Sequence, residues 1–586
     1  MAHDPAARPP RHRSKRAGDL LELGAGVAIV LLVVFIGSFF RLRLDLTSEK
    51  RHTLREATHD LVAGLEDVAY VKVYLHGELP ADLKQLERAT RDLLDEMRAI
   101  APDNIQYSFV DPSAGPDDAV RMKVYDDLQQ QGLQYSSIRM RGQGSVTEKI
   151  VFPGALVTYR DKTVPVQLLK TRLRTADAEI VHRSINNLEY EFASAIRQAT
   201  TINKPRVAFL TGHGELPPIA VADITNALSE QYHVSRVRID DRIDALSDAN
   251  PAGGYRLNRY EALIIAKPDS TFSHRDRYVI DQFIMNGGKV LWAVDVMNAH
   301  LDSLRQYQMS MATPLALNID DLLFQYGVRA NKDLVLDKSC APIELYTQPY
   351  GNQPKLERFP WYFEPVLVPQ SGHPIVGNID PVHTRFASSL DTVGGPEIRK
   401  TVLLTSSPYS RVMRSPVRVS PGIVGMDLGL ETNATPHRPM AVLLEGAFTS
   451  AFADRLPPEF SNDPAVAYRE KGRPTAMVVI GDGDVIANRV APDSSMFYML
   501  GFDRYANSKI YGNRELVVNA MNYLLDDQSL ISIRSRSITL RQLDPQRVAG
   551  ERGRWQVFNI VAPIVLSILA GLGFHLHRRR KNSRTA

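Results

Sequence analysis

At 586 residues the chain is too long for one compact core, and 44% hydrophobic with 23% charged residues is the composition of folded domains rather than of a disordered segment. The formal net charge is only +4 and its excess gathers at the two ends, so it is a membrane-topology signal before it is a nucleic-acid one. One cysteine, Cys340, excludes an intramolecular disulfide, a cysteine-rich zinc site and a C-x-x-C redox pair.

Residues 1–19 read as a cytoplasmic tail carrying Arg8, Arg11, Arg13, Lys15 and Arg16. Residues 23–40 then form an unbroken run of apolar or small side chains, about long enough for a hydrocarbon core of roughly 30 Å. The run exceeds a typical signal-peptide core, and "GSFFRLRLDL" beyond it offers no small-x-small cleavage site. A retained membrane helix is expected over 20–40.

Residues 41–180 read as a small α/β domain. In "VAYVKVYL", Val71, Val73 and Leu75 alternate as on a half-buried strand. Leu83, Leu86, Leu93, Leu94 and Met97 fall mainly at helical spacing, "NIQYSFVDP" returns to strand, and a further helix follows through Asp118 to Gln130. The layout resembles a thioredoxin-like domain without redox cysteines, which implies binding or spacing.

A connecting helix, "NNLEYEFASAIRQAT", leads into residues 181–530. Here the strands "RVAFLT", "VSRVRI", "ALIIAKP" and "KVLWAVD" alternate with the helices "AVADITNALSEQY" and "SHRDRYVIDQFIMNGG". Near-continuous apolar strands alternating with helices predict a doubly wound parallel sheet. Residues from about 309 to 439, rich in proline and glycine, read as an irregular insertion. "MAVLLEGAFTSAF", "TAMVVIGDGDVIAN" and a helix over 513–525 resume the pattern.

A polar juxtamembrane stalk is expected over 531–555 and a second membrane helix over 556–576, "VFNIVAPIVLSILAGLGFHL" occupying 557–576. Pro563 is compatible with a membrane helix. The tail 577–586 carries Arg578, Arg579, Arg580, Lys581 and Arg584. By the positive-inside rule both basic ends face the cytoplasm, which leaves the bulk in the periplasm of a bacterium.

Ligands of open α/β sheets collect at the carboxyl ends of strands. Three polar motifs sit at such predicted ends: "TGHGE" with His213 and Glu215, "AVDVMNAH" with Asp295, and "IGDGDVIAN" with Asp482, Asp484 and Asn488. If the strands are neighbours, these side chains form a ligand or partner pocket, or hold a divalent metal for a hydrolase. The competing reading is architecture: Gly212, Gly214, Gly481 and Gly483 suit tight turns, and His213 with Glu215 is not the H-E-x-x-H pattern.

Other chemistries lack their motifs. There is no G-x-x-x-x-G-K-[ST] loop, no G-x-G-x-x-G and no G-x-S-x-G elbow, and Cys340 lies in the irregular "DKSCAPIELY". Aromatic and basic residues do not interleave as on a nucleic-acid surface. Trp292, Trp361 and Trp555 are too scattered to suggest a sugar-stacking platform, the mark of a glycan-binding alternative.

In order along the chain, "LDLTSEKRHTLREAT", "VAYVKVYLHGELP", "NIQYSFVDP", "NNLEYEFASAI", "VAFLTGHGE", "LLEGAFTSAF" and "VVIGDGDVIAN" resemble the GldG family, gliding-associated auxiliary subunits of bacterial ABC transporters. The resemblance implies a non-enzymatic periplasmic double domain, the second part similar to class I glutamine amidotransferases without their catalytic cysteine. It implies an inner-membrane anchor in contact with lipid, a separate permease and ATPase as partners, no cofactor, no metal and no catalytic residue. Substrate, gliding and self-association stay open.

Overall fold

The structure, a computed structural model, describes residues 23–32, 35, 54–115, 117–141, 146–169, 177–201, 203–250, 254–301, 304, 309–347, 355–463, 466–493, 496–525 and 545–583. They fall into two units, 1–535 and 536–586.

In the first unit, α1 (Glu56–Ala63) leads to β1 (Ala69–Val73), α2 (Ala81–Ile100), β2 (Ile105–Phe109) and α3 (Asp118–Gln130). Two antiparallel hairpins follow, β3 (Ser136–Arg141) with β4 (Val146–Val151) and β5 (Gly154–Tyr159) with β6 (Lys162–Gln167), and then α4 (Asp177–Thr200). β1 buries Ala69, Val71 and Val73 and exposes the residues between them, the period of two that its sequence announces. The sheet runs β2-β1-β5-β6, with β1 parallel to β2 and antiparallel to β5. α2 and α4 pack on one face through Leu86, Leu94, Met97, Leu188, Phe192 and Ile196. α3 covers a smaller cluster around Phe152 and Leu156. The helix that reads as a connector in sequence is thus part of this domain's core, so the boundary lies after Thr200 rather than near residue 180.

The second domain is built on a sheet of seven strands. In chain order these are β7 (Arg206–Thr211), β8 (His233–Arg238), β9 (Ala262–Ala266), β10 (Lys289–Ala293), β11 (Arg399–Thr405), β12 (Pro439–Thr449) and β13 (Lys471–Ile480). In space they run β11-β12-β13-β10-β9-β7-β8. The five from β13 to β8 are mutually parallel, and β12 and β11 extend the sheet antiparallel. Alternate residues face opposite ways, as period two demands. Ala208, Leu210, Leu263, Ile265, Val290 and Trp292 join Tyr278, Ile280, Phe283 and Ile284 of α6 (His274–Met285). Val207, Phe209, Ile264, Leu291 and Val478 join α5 (Ala222–Ser229) and α8 (Asn513–Leu524) on the other face.

The stretch 309–439 is more ordered than its composition suggests. It supplies β11 to the main sheet, a short helix α7 (Asp320–Tyr326) and small antiparallel pairs, among them Asp333–Asp337 with Ser410–Arg414 and Cys340–Thr347 with Lys355–Leu367. Prolines here sit within or beside short strands, where a missing amide donor is tolerated.

α4 also joins the two domains. Its Tyr190 and Ala193 meet Ala57 and Leu61 of α1 and Tyr523 of α8. Asn522 Nδ2 reaches the Tyr190 hydroxyl at 3.1 Å, and the Tyr232 hydroxyl donates to Asn522 Oδ1 at 2.7 Å. Glu189 Oε1 accepts from the Arg55 amide at 2.7 Å and the Thr58 hydroxyl at 2.9 Å, fixing the start of α1.

In the second unit, α9 (Pro545–Ser583) contains Gly550–His577, which is long and apolar enough to cross a membrane. Near the N-terminus a shorter apolar helix covers Leu23–Leu32. Most of the rest of the expected 20–40 span, and the 531–544 part of the expected stalk, lie outside the described residues.

Asn522→Ala leaves two buried hydroxyls without their shared partner. Loss of about 1–3 kcal/mol of unfolding free energy is expected, read as a lower urea midpoint for the solubilised full-length chain.

Candidate functional site

The crossovers after β7 and β9 leave to opposite faces of the sheet, α5 to one and α6 to the other. Strand order therefore reverses between β7 and β9, and a crevice opens at such a point outside the carboxyl ends. "TGHGE" lies there. Gly212 (φ +120°) and Gly214 (φ +74°) turn the chain in the region that disfavours side chains, and a Cβ on Gly214 would lie 1.6 Å from Asp269 Oδ1.

His213 is folded into this turn. Its ring stacks on Phe272 at 3.9 Å, its Nε2 lies 2.8 Å from Asp276 Oδ2 and its Nδ1 3.3 Å from Glu215 Oε1. The side chain is only 7% exposed. Burial alone would lower its pKa, but the hydrogen bonds to Glu215 and Asp276 outweigh burial and hold it above its ordinary value. Burial likewise opposes ionisation of Glu215, and its bonds to the His213 ring and amide bring it below the usual range. An imidazolium with both N–H groups engaged has no lone pair for a metal or for a proton.

The next network follows from register. Ala266 of β9 pairs with Ala293 of β10, which pairs with Ile480 of β13, so the residues just beyond these strands meet. Lys267 Nζ lies 2.7 Å from Asp484 Oδ2 and 3.3 Å from Asp295 Oδ2. Asp295 Oδ1 accepts the Gly483 amide at 2.6 Å, and Asp482 accepts the amides of Asp484 and Arg385, both at 2.8 Å. Glu364 then bonds Arg385 Nε at 2.9 Å and His383 Nε2 at 3.0 Å.

Burial would lower the Lys267 pKa, but Asp484 and Asp295 raise it well above normal, so it stays an ammonium ion and not a nucleophilic amine. Burial pushes Asp295 up against the pull of Lys267. It also pushes Asp482 well above the usual carboxylate range, reinforced by Asp295 and Asp484. For Asp484 the pull of Lys267 and Arg385 overcomes burial and sets it below the usual range. Glu364, despite burial, is held at about 2 by Arg385 and His383.

The six candidate residues therefore do not share one pocket. His213 and Glu215 are tied to Asp276, Asp295 and Asp484 flank Lys267 with Asp482 on neighbouring amides, and Asn488 does a separate job. Its Nδ2 donates to the Ile219 carbonyl at 2.9 Å and its Oδ1 accepts the Asp223 amide at 3.1 Å, which clamps the start of α5. Gly481 and Gly483 also act differently from the expected turn glycines. Both avoid positive φ; a Cβ would strike the Ser388 carbonyl at 2.4 Å or Lys267 Cγ at 2.5 Å, so close approach is what requires them.

Lys267, Asp276, Glu364 and Arg385 are partners that the motif reading misses. Lys267 carries a signal, standing directly after an apolar strand in "ALIIAKP". Asp276 reads as an ordinary first-turn residue behind the Ser273 cap. Glu364 comes from a small sheet and Arg385 from the bend beyond another of its strands, and neither carries a local signal. Elsewhere, burial pushes the Cys340 thiol up to about 12, far from thiolate chemistry. Among the described residues no group of three or more His, Cys, Asp or Glu could hold a metal ion.

A family model described as "ABC-type uncharacterized transport system" matches residues 204–520, more than half of the chain and nearly all of this sheet and its helices. The chain belongs to this family. It is an auxiliary component of an ABC transport system, and α9 together with the family indicates membrane association. A second model, a domain of unknown function (DUF7088), matches residues 48–158 in the first domain. An uncharacterized protein of Borreliella burgdorferi is 19% identical over 447 residues, covering 75% of this chain and 80% of that protein. Among solved structures, the mmIFT52 N-terminal domain aligns with a TM-score of 0.30 at 12% identity, over 54% of this chain and 96% of that one.

Two outcomes follow from the charge networks. Removing the ammonium in Lys267→Met strands Asp295 and Asp484, and about 3–5 kcal/mol of stability should be lost in denaturant titrations. For His213, a raised folded pKa means stability that is complete below about 6.5 and lost as pH rises through the folded value. Glu215, depressed, contributes above its ordinary range near 4.5 and loses this as pH falls. The stability gap between the wild type and His213→Gln should thus be widest near pH 6 and shrink toward pH 9, measured as denaturant midpoints at each pH.

Proposed function

We propose that the chain is a non-enzymatic auxiliary subunit anchored in the bacterial inner membrane, its folded domains in the periplasm, working beside a separate ABC permease and ATPase. The observation that carries this is the family match across the central sheet. At that sheet's carboxyl edge, where an α/β enzyme keeps reactive groups, His213 is engaged by Asp276 and Glu215, and Lys267 by Asp295 and Asp484.

In this reading two membrane helices, over 20–40 and 556–576, hold the protein with both termini in the cytoplasm. The apolar helix Gly550–His577, the basic residues Arg578, Arg579, Arg580 and Lys581 after it and the basic N-terminal tail support that orientation. The β2-β1-β5-β6 order, with a parallel pair followed by an antiparallel hairpin, supports a thioredoxin-like ancestry for the first domain. The parallel five strands with helices on both faces support an amidotransferase-like ancestry for the second, its cysteine chemistry absent because Cys340 lies on a small peripheral strand. Within the family, the resemblance of its motifs to the GldG family supports a transport role linked to gliding or to the envelope machinery that serves it.

Affinity purification of the tagged full-length chain from native membranes is expected to recover an ABC permease and its ATPase in fixed ratio. Recovery of the chain without either would contradict the reading.

A further inference from the structure

β8 ends the seven-stranded sheet on one side. The His233 amide donates to the Pro205 carbonyl at 2.9 Å, and the Thr211 hydroxyl donates to the Val237 carbonyl at 3.1 Å, so His233, Ser235 and Val237 turn their backbone groups toward β7. By the period of two, the N–H and C=O groups of Val234, Arg236 and Arg238 point away from the sheet. Among the described residues nothing pairs with them there.

An open row of donors and acceptors is a template for another strand, and folded proteins blunt it with bulges, prolines, short strands or charges. The opposite end of the sheet uses the first device, since β11 pairs with β12 through two register shifts. β8 pairs with β7 in unbroken register along its whole length and contains no proline. Its ends are exposed and its middle residues half-buried. Charge is the device that remains.

That charge is uneven. Arg238 is held by Asp240 at 2.9 Å, and in the loop beyond, Arg242 takes Asp244 and Arg259 takes Asp248. Arg236 instead lies over the Phe209 ring, 5.6 Å from its centroid, and among the described residues no carboxylate stands within ion-pair distance of it. Burial lowers its pKa with no acid to offset the effect.

We propose that β8 is a docking edge for an extended acidic segment of a partner protein, which adds as a further strand and sets a carboxylate across from Arg236. In strand addition the main chain supplies affinity and alternate side chains choose the partner. Opposite charges across neighbouring strands stabilise the pair and like charges destabilise it. A second copy offering the same edge would bring its own Arg236 and Arg238 to this one, so charge selects against self-pairing.

The test is hydrogen–deuterium exchange of the full-length chain in an uncharged detergent, with a short peptide alternating valine and glutamate as the probe. The amides of Val234, Arg236 and Arg238 should gain protection as the peptide is added, and the titration gives an affinity. Lysine in place of glutamate should weaken binding about fivefold or more, and N-methylation of the peptide amides that would face β8 should abolish it. Arg236→Gln should weaken binding about threefold, and Arg236→Lys should retain most of it. Should Arg236→Gln fold poorly, the lysine and N-methylated peptides on the wild type decide in its place. The proposal is overturned if these amides gain no protection, if either control peptide binds as well as the acidic one, or if a folded Arg236→Gln keeps the full affinity. Protection that grows with protein concentration alone assigns the edge to a second copy and overturns it too.

Discussion

A charge taken out of water must find its opposite close by, because the desolvation penalty of an isolated buried ion amounts to several kcal/mol. The carboxyl edge of the central sheet is arranged around that requirement. Lys267 sits between Asp295 and Asp484, and the three residues belong to the ends of three successive parallel strands. The pairing fixes how β9, β10 and β13 terminate. It also explains why Gly483 lacks a side chain, since a Cβ there would strike Lys267, while Asp482 gives its oxygens to the Arg385 and Asp484 amides. Through Arg385 and Glu364 the same network reaches the small antiparallel sheets, which Asn513 of α8 also holds by hydrogen bonds to the amide and carbonyl of His383.

Around this edge the two domains are fastened at a different place. α4 lies on the first domain's sheet with one side and holds α1 and α8 with the other. Glu189 secures the start of α1, and Asn522 joins Tyr190 to Tyr232. Leu54 packs on the first domain's core and Leu525 on the second domain's.

Much of this architecture was legible in the sequence, and the misses have physical causes. The apolar strands β7, β9 and β10 and their helices are visible because buried parallel strands leave continuous runs. α4 reads as a connector because its burial on the first domain is a tertiary fact, invisible to helical spacing alone. The stretch 309–439 reads as irregular because its strands are short and pair far along the chain: Asp333–Asp337 finds its partner at Ser410–Arg414. At the candidate site the strand-end motifs were found, whereas their grouping was not. His213 looks toward Asp276, contributed by a helix that begins some sixty residues later, and Lys267 is the cation that the acidic motif "GDGD" needs. Motif reading sees donors of chemistry; which of them neutralise one another is settled by register and packing.

The family makes the chain an auxiliary component of an ABC transport system, and the proposal adds that it is a scaffold that leaves energy conversion to its partners. The most direct measurement is ATP hydrolysis by the reconstituted permease and ATPase with and without this chain. The account predicts no hydrolysis by the chain alone and a changed rate in the complex when the chain is withdrawn. A rate indifferent to its presence, or turnover by the isolated chain, would contradict it.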